Sequence, residues 1–318
     1  MQYAQYNDQS RLSMARFYNS LRAQSWLIVL GVPGLLFFLF FAYLPMAGLI
    51  IAFQDFNHAR HVFDGPFVGL ANFRFLHSPD FSQAVFNTIF LNTCFIVTGL
   101  VCQVGLALLL NEIRLRWFRR VTQSTTLLPY FISWVVVAMM ARGLFASAPT
   151  PGLLVQFQKL LGQVPISWYT RGSLWVSILI FANIWKWIGY GSVIYLAAIV
   201  GIDPELYEAA RVDGASRWQR IRYITIPMLK PTISILTLLA VGRIFYGDFL
   251  MIYGMVGDNG LLLPRTDVID TYVYRALRIY GDIGMASAAG LLQAVMGFGT
   301  IICANLFIRR IHPDGALF

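Results

Sequence analysis

Six long apolar stretches divide this chain, and a helix that crosses the hydrocarbon of a bilayer needs about 20 apolar residues in a row. They run over Trp26–Phe53, Ala84–Leu110, Val121–Phe145, Ser173–Val200, Ile224–Leu250 and Gly284–Ile308. A soluble fold would have to cover all six with polar residues. Only 12% of the residues are charged, about half the share of an ordinary globular domain, while 58% are hydrophobic. The expected fold class is therefore all-α and integral to a membrane, with about six transmembrane helices. The first stretch is too long for a cleavable signal peptide and no small-residue cleavage site closes it. Pro33 and Pro45 are expected to kink it or mark its ends. The fifth is the least regular, because Arg243 and Asp248 lie near its end.

The net charge of +9 does not read as a nucleic-acid footprint, because the arginines sit in short clusters between the apolar stretches. Their distribution gives an orientation. With six spans and the N-terminus inside, thirteen Lys and Arg fall in the inner segments, including Arg11, Arg16, Arg22, Arg114, Arg116, Arg119, Arg120, Arg309 and Arg310. Seven fall in the outer loops: Arg60, Arg74, Lys159, Arg171, Arg265, Arg275 and Arg278. Cytoplasmic loops carry the excess of basic residues. Both termini and the segment 201–223 are thus expected in the cytoplasm. The chain divides into a cytoplasmic N-terminal segment 1–25, a transmembrane domain 26–310 that includes the loop 203–227, and a cytoplasmic tail 311–318. The outer loops are too short for a further soluble domain.

The loop before the fifth stretch reads GIDPELYEAARVDGASRWQRIRYITIPMLKP. Asp203 suits an N-cap and Pro204 the first helical position. Glu205 complements the helix dipole. Leu206, Ala209 and Ala210 share one face. Gly214 stops this helix, Ser216 caps a second short one carrying Trp218 and Ile221, and Pro227 marks re-entry into the membrane. Glu208 beside two alanines makes a low-relief face that another protein can approach closely. The same pattern also suits an amphipathic helix lying on lipid headgroups.

The spacing Glu208-Ala209-Ala210, three residues, Gly214, nine residues, Ile224, one residue, Ile226-Pro227 resembles the EAA loop of the membrane subunits of binding-protein-dependent ABC importers. It departs from the pattern only in having Ile226 in place of Leu. The resemblance implies the type I importer permease fold, with this loop as a coupling helix that docks on an ATPase subunit. Glu208, Ala209, Ala210, Arg211, Asp213, Gly214, Ile224 and Pro227 would form the coupling site. The stretches GLIIAFQDFN, LPYFISWVVVA, IWKWIGYGSVIYLAAIVGIDPELYEAA and DVIDTYVYR are similar to permeases of the polysaccharide and complex-sugar branch, related to the maltose-type subunit. Within that branch an alginate importer is the candidate. The resemblance implies a second, homologous permease, two ATPase subunits, an extracytoplasmic solute-binding protein and the bacterial inner membrane. ATP and Mg would be bound by the ATPase subunits and no cofactor by this chain.

The residues themselves carry no catalytic constellation. GxxxxGK[ST], HExxH and GxSxG are all absent from the sequence. Cys94, Cys102 and Cys303 lie in apolar stretches as small hydrophobes, and His58, His61, His77 and His312 lie in loops without ligand spacing, so no metal site is expected. The fourth stretch does carry polar chemistry: Asn183, Trp185, Lys186, Trp187, Tyr190 and Tyr195. Aromatic faces stack on sugar rings, and Asn or Lys can bond hydroxyls or carboxylates. Lys186 stands about one turn from Asn183 and from Tyr190, so the three are candidates for one face of a substrate path. The competing assignment gives the tryptophans to lipid anchoring and Lys186 to a neighbouring helix. Arg243, Tyr246 and Asp248 are further path candidates. Arg142 and Lys230 are expected to snorkel. Asp55, Phe56, Asn57, Arg60, Asp267, Asp270, Tyr272 and Arg275 are placed to meet a binding protein. An importer for another solute remains the alternative. A self-contained secondary transporter would need coupling-ion sites or an internal repeat, and the sequence offers neither.

Overall fold

The computed structural model describes residues 25–56, 64–147 and 150–311. The N-terminal segment up to Gln24, the loop residues Asn57, His58, Arg60 and His61, and the tail from His312 lie outside these. Two compact units divide the chain, Met1–Gly69 and Leu70–Phe318.

In the first unit, helix α1 (Ser25–Phe38) continues through a π-helical turn, Leu39–Tyr43, a short turn, Leu44–Met46, and a 3-10 stretch, Ala47–Phe53. The helix thus runs through Pro33 and changes its winding just before Pro45, whose missing N–H cannot bond the preceding turn. Beyond it Gln54 and Phe67 form an antiparallel bridge. Asp55 N–H donates to Pro66 O at 2.9 Å and Val68 N–H to Phe53 O at 2.8 Å, which closes the following loop at its base.

The second unit contains α2 (Pro79–Glu112), α3 (Arg116–Leu127), α4 (Trp134–Phe145), α5 (Leu153–Leu160), α6 (Gly172–Val200), α7 (Pro204–Val212), α8 (Arg217–Arg220), α9 (Ile226–Val241), α10 (Phe249–Val256), α11 (Leu263–Thr266), α12 (Ile269–Arg275) and α13 (Ile283–Ile311). Its centre is the pair α2 and α6. Gly189 meets the chain of α3 there, since a Cβ at this position would stand 2.0 Å from Thr126 O. A Cβ on Gly191 would likewise stand 2.1 Å from Cδ of Gln103 on α2. One apolar core joins Leu91 and Phe95 of α2, Trp134 and Ala138 of α4, Trp175 and Leu179 of α6, and Met251 and Ile252 of α10. A second joins Leu110, Tyr195, Ile199 and Leu229 of α2, α6 and α9.

Among the described residues, five helical stretches are long and apolar enough to span a bilayer: Val29–Phe53, Pro79–Glu112, Gly172–Val200, Arg217–Val241 and Ile283–Arg310. The remaining expected span, Val121–Phe145, is broken: Arg116–Phe131 and Trp134–Phe145 meet at 94°. Pro129 sits in a 3-10 turn there, Ile132 is extended, and the Ser133 hydroxyl accepts from Val136 N–H to start α4. The expected fifth span is shorter than its apolar run. It ends at Val241, and residues 242–248 leave the helix before α10 begins. Its start also differs. α8 passes through a π turn, Ile221–Thr225, straight into α9, so the second short helix is the first turn of the span and Pro227 marks no boundary.

Candidate functional site

Helix α7 is fixed at both ends by its own sequence. The Asp203 carboxylate accepts from Glu205 N–H at 2.9 Å, with Pro204 following it. At the other end Gly214 takes φ +80°, Ala215 N–H donates to Ala210 O at 2.8 Å and Gly214 N–H to Arg211 O at 3.1 Å. This pair of bonds satisfies the last carbonyls of the helix. Ser216 and Gln219 then form a reciprocal capping box that starts α8. One side-chain bond ties the element to its surroundings, the hydroxyl bond of 3.0 Å between Tyr207 and Thr225, and Arg217 of α8 lies 3.8 Å from Glu112 of α2 in an exposed, loose ion pair. Glu208, Ala209, Arg211, Asp213 and Gly214 are exposed and Ala210 is half-buried. Ile224 is half-buried in the π turn, and Pro227 lies in the first turn of α9. The result is a short, well-terminated helix that exposes Glu205 and Glu208 beside the small residues Ala209 and Ala210.

A cavity of about 280 Å³ lies between α2, α6 and α9. Four of the expected path residues, Asn183, Trp187, Tyr190 and Tyr195, line it. Gln103 adds an amide and Gly99 and Gly191 leave it room. Tyr130 extends the aromatic surface: its ring stacks on Tyr190 at 4.5 Å and meets Trp187 edge-on at 5.4 Å. Amides, phenols and an indole offer donors, acceptors and flat apolar faces, the set that suits a pyranose ring.

Lys186 and Trp185 turn away from this cavity. The Lys186 side chain is buried and its ammonium donates to the carbonyls of Pro129, Tyr130 and Ile132, at 3.4 Å and 3.2 Å for the first two. It also lies 5.0 Å from the centre of the Trp134 ring. Lys186 thus satisfies the backbone of the break between α3 and α4, and the path assignment does not follow from its geometry. Trp185 packs against the first apolar core.

The second break is held in the same way. Asn92 Nδ2 donates to Ile244 O at 2.7 Å and Tyr246 O at 3.1 Å. Gln293 Nε2 donates to Phe245 O at 2.7 Å, and the Asp270 carboxylate accepts from Gly247 N–H at 2.6 Å. Asp248 caps α10 by accepting from Met251 N–H at 3.2 Å, beside Trp134 and Lys186. Arg243 and Tyr246 are exposed within the break, and no ion pair joins Arg243 to Asp248 among the described residues. Sequence reasoning missed Asn92, Gln103, Tyr130 and Gln293. The signal for three of them was a lone amide inside an apolar stretch. Several residues expected to meet a binding protein serve the fold instead: Asp270 holds the break, and Asp267 is buried in an ion pair with Arg275.

Among the described residues, long apolar helices, two breaks in them, a cavity lined by amides and aromatic rings and a capped helix outside the long ones form one helical unit. Residues 96–313 match the family described as binding-protein-dependent transport system inner membrane component. The chain belongs to that family. It is 33% identical over 297 residues to Protein LplB of Bacillus subtilis, covering 93% of this chain and 92% of that protein. It is 32% identical to the polygalacturonan/rhamnogalacturonan transport system permease protein YteP of the same species, covering 94% and 92%. Among solved structures it is similar to a chain of a bacterial ABC transporter involved in the import of the acidic polysaccharide alginate. That match has a TM-score of 0.84 and 33% identity, over 93% of this chain and 99% of the other.

Proposed function

We propose that this chain is a permease subunit of an ATP-driven importer for an oligosaccharide or polysaccharide. A second, similar permease completes the path. One of two ATPase subunits docks on α7 around Glu208, on the cytoplasmic side, and a solute-binding protein delivers the sugar on the other side. ATP binding moves α7, and the cavity beside Trp187 and Tyr190 opens to receive substrate; a ligand shifts such an equilibrium only by binding the two states differently. The observation that carries this reading is the exposed, doubly capped α7 with Glu208 beside two alanines, in a chain of this family.

An acidic sugar polymer is the favoured substrate class, because YteP and the alginate transporter, both similar over nearly the whole chain, are named for such polymers. Lys186 does not supply the counter-charge in this scheme. Arg243, exposed in the break that follows α9, is the remaining candidate. Purification in mild detergent tests the whole reading. An ATPase should co-purify, and its hydrolysis should rise when binding protein and uronate oligomers are added together. Neutral oligomers giving the larger response would contradict the acidic class, and a chain that purifies alone and moves solute without ATP would contradict the importer.

A further inference from the structure

Behind α7 lies a second cavity, of about 800 Å³, at the ends of α2 and α6. Arg114, Arg211, Arg217 and Arg220 line it, against the carboxylates of Glu112 and Glu208. The C-terminal ends of α2 and α6 border the cavity and favour cations, which answers part of this excess. Glu112 engages Arg217 only at 3.8 Å, with side chains 39% and 56% exposed, a geometry in which an ion pair holds little. One guanidinium group stands out. Arg220 Nε is buried and has no hydrogen-bond partner among the described residues. Ile199, Val200, Ile202 and Ile221 supply an apolar wall to the same cavity.

Four arginines in one cavity, one of them with a buried donor that has no partner among the described residues, beside an apolar wall at the ends of spanning helices, match one chemical group. A phosphate offers several acceptor oxygens and takes guanidinium forks in pairs. Basic pockets between helices at the cytoplasmic membrane face suit anionic headgroups. We propose that this cavity binds a phosphate group, carried by an anionic phospholipid of the inner leaflet, and that its occupancy braces α7 against the end of α2. The placement at the inner leaflet and the effect on coupling rest on the function proposed above; the cavity and its unpaired donor do not.

The test uses the complete transporter, permeases with ATPases, in nanodiscs of phosphatidylcholine with and without phosphatidylglycerol. Substrate-stimulated ATP hydrolysis of the wild type should rise several-fold with phosphatidylglycerol, and native mass spectrometry should show that lipid retained. An Arg114→Gln, Arg220→Gln double variant should match the wild type in phosphatidylcholine and lose both the rise and the retained lipid. Inorganic phosphate, titrated by calorimetry into phosphatidylcholine nanodiscs, separates the sources: binding lost in the double variant would support the phosphate site with a free ion as occupant. A double variant that still responds to phosphatidylglycerol, or a wild type indifferent to both phosphate sources, would overturn the proposal. So would a double variant that sheds its ATPase subunits in phosphatidylcholine, since the arginines would then serve that interface. Uptake that is ATP-driven yet indifferent to lipid would remove this inference alone, whereas uptake without ATP would remove the function on which its consequence rests.

Discussion

Lys186 donates to three carbonyls at the break between α3 and α4, and a carbonyl left buried without a donor costs about 1–3 kcal/mol. Lys186→Met keeps the length of the side chain and removes the donor. The variant should lose several degrees of melting temperature in detergent, followed by scanning fluorimetry, while the affinity of the assembled transporter for sugar changes little. A variant that melts like the wild type but binds sugar weakly would return Lys186 to the path. The sequence left this choice open for a geometric reason. Asn183 and Tyr190 belong to two overlapping faces of α6, one centred near Lys186 and the other near Trp187, about 100° apart. Periodicity grouped all of them, and only packing showed that the cavity takes the Trp187 side. By contrast, Asp203, Pro204, Gly214 and Ser216 were legible one residue at a time, because each acts on the backbone next to it.

At the scale of elements, the two breaks are what hydropathy could not show. The run Val121–Phe145 stays largely apolar across its break, so a hydropathy window sees a whole span, and in Ile224–Leu250 only Arg243 and Asp248 hint at the second. Irregular backbone at membrane depth persists only where protein or a water-filled cavity satisfies it, and here side chains from neighbouring helices do so. Asn92, Gln293 and Asp270 together engage the backbone from Ile244 to Gly247. An Asn92→Leu, Gln293→Leu double variant should therefore speed hydrogen exchange at residues 242–248 by an order of magnitude or more, since about 1 kcal/mol or more of protection is lost with each bond. Exchange unchanged there, measured by mass spectrometry of peptic peptides, would mean that the break is held by packing alone. Close approach was equally hidden: Gly189 and Gly191 read as ordinary glycines of an apolar run, yet a side chain at either would collide with α3 or α2. Gly189→Ala should lower the melting temperature further than Gly105→Ala, where a Cβ meets nothing within 4 Å.

On the scale of the whole molecule, the all-helical membrane class followed from six apolar stretches, and the family from the spacing between Glu208 and Pro227. Which side chains face the path did not follow, because that depends on how α2, α6 and α9 meet. In the function proposed above the parts have distinct tasks: a cavity for sugar among the spans, two backbone breaks held by neighbouring side chains, and α7 as the handle through which ATP is felt. Glu208 is exposed, so changing it should leave stability within about 0.5 kcal/mol. The most direct measurement is uptake of labelled oligosaccharide and ATP hydrolysis, followed together in proteoliposomes containing the full transporter with wild-type or Glu208→Lys permease. The account predicts a variant that folds and inserts normally but loses ATP-driven uptake by at least about tenfold, because reversing the charge on the docking face removes an interaction worth about 1.4 kcal/mol or more. Uptake and hydrolysis both at wild-type levels would show that α7 is not where the chain is driven.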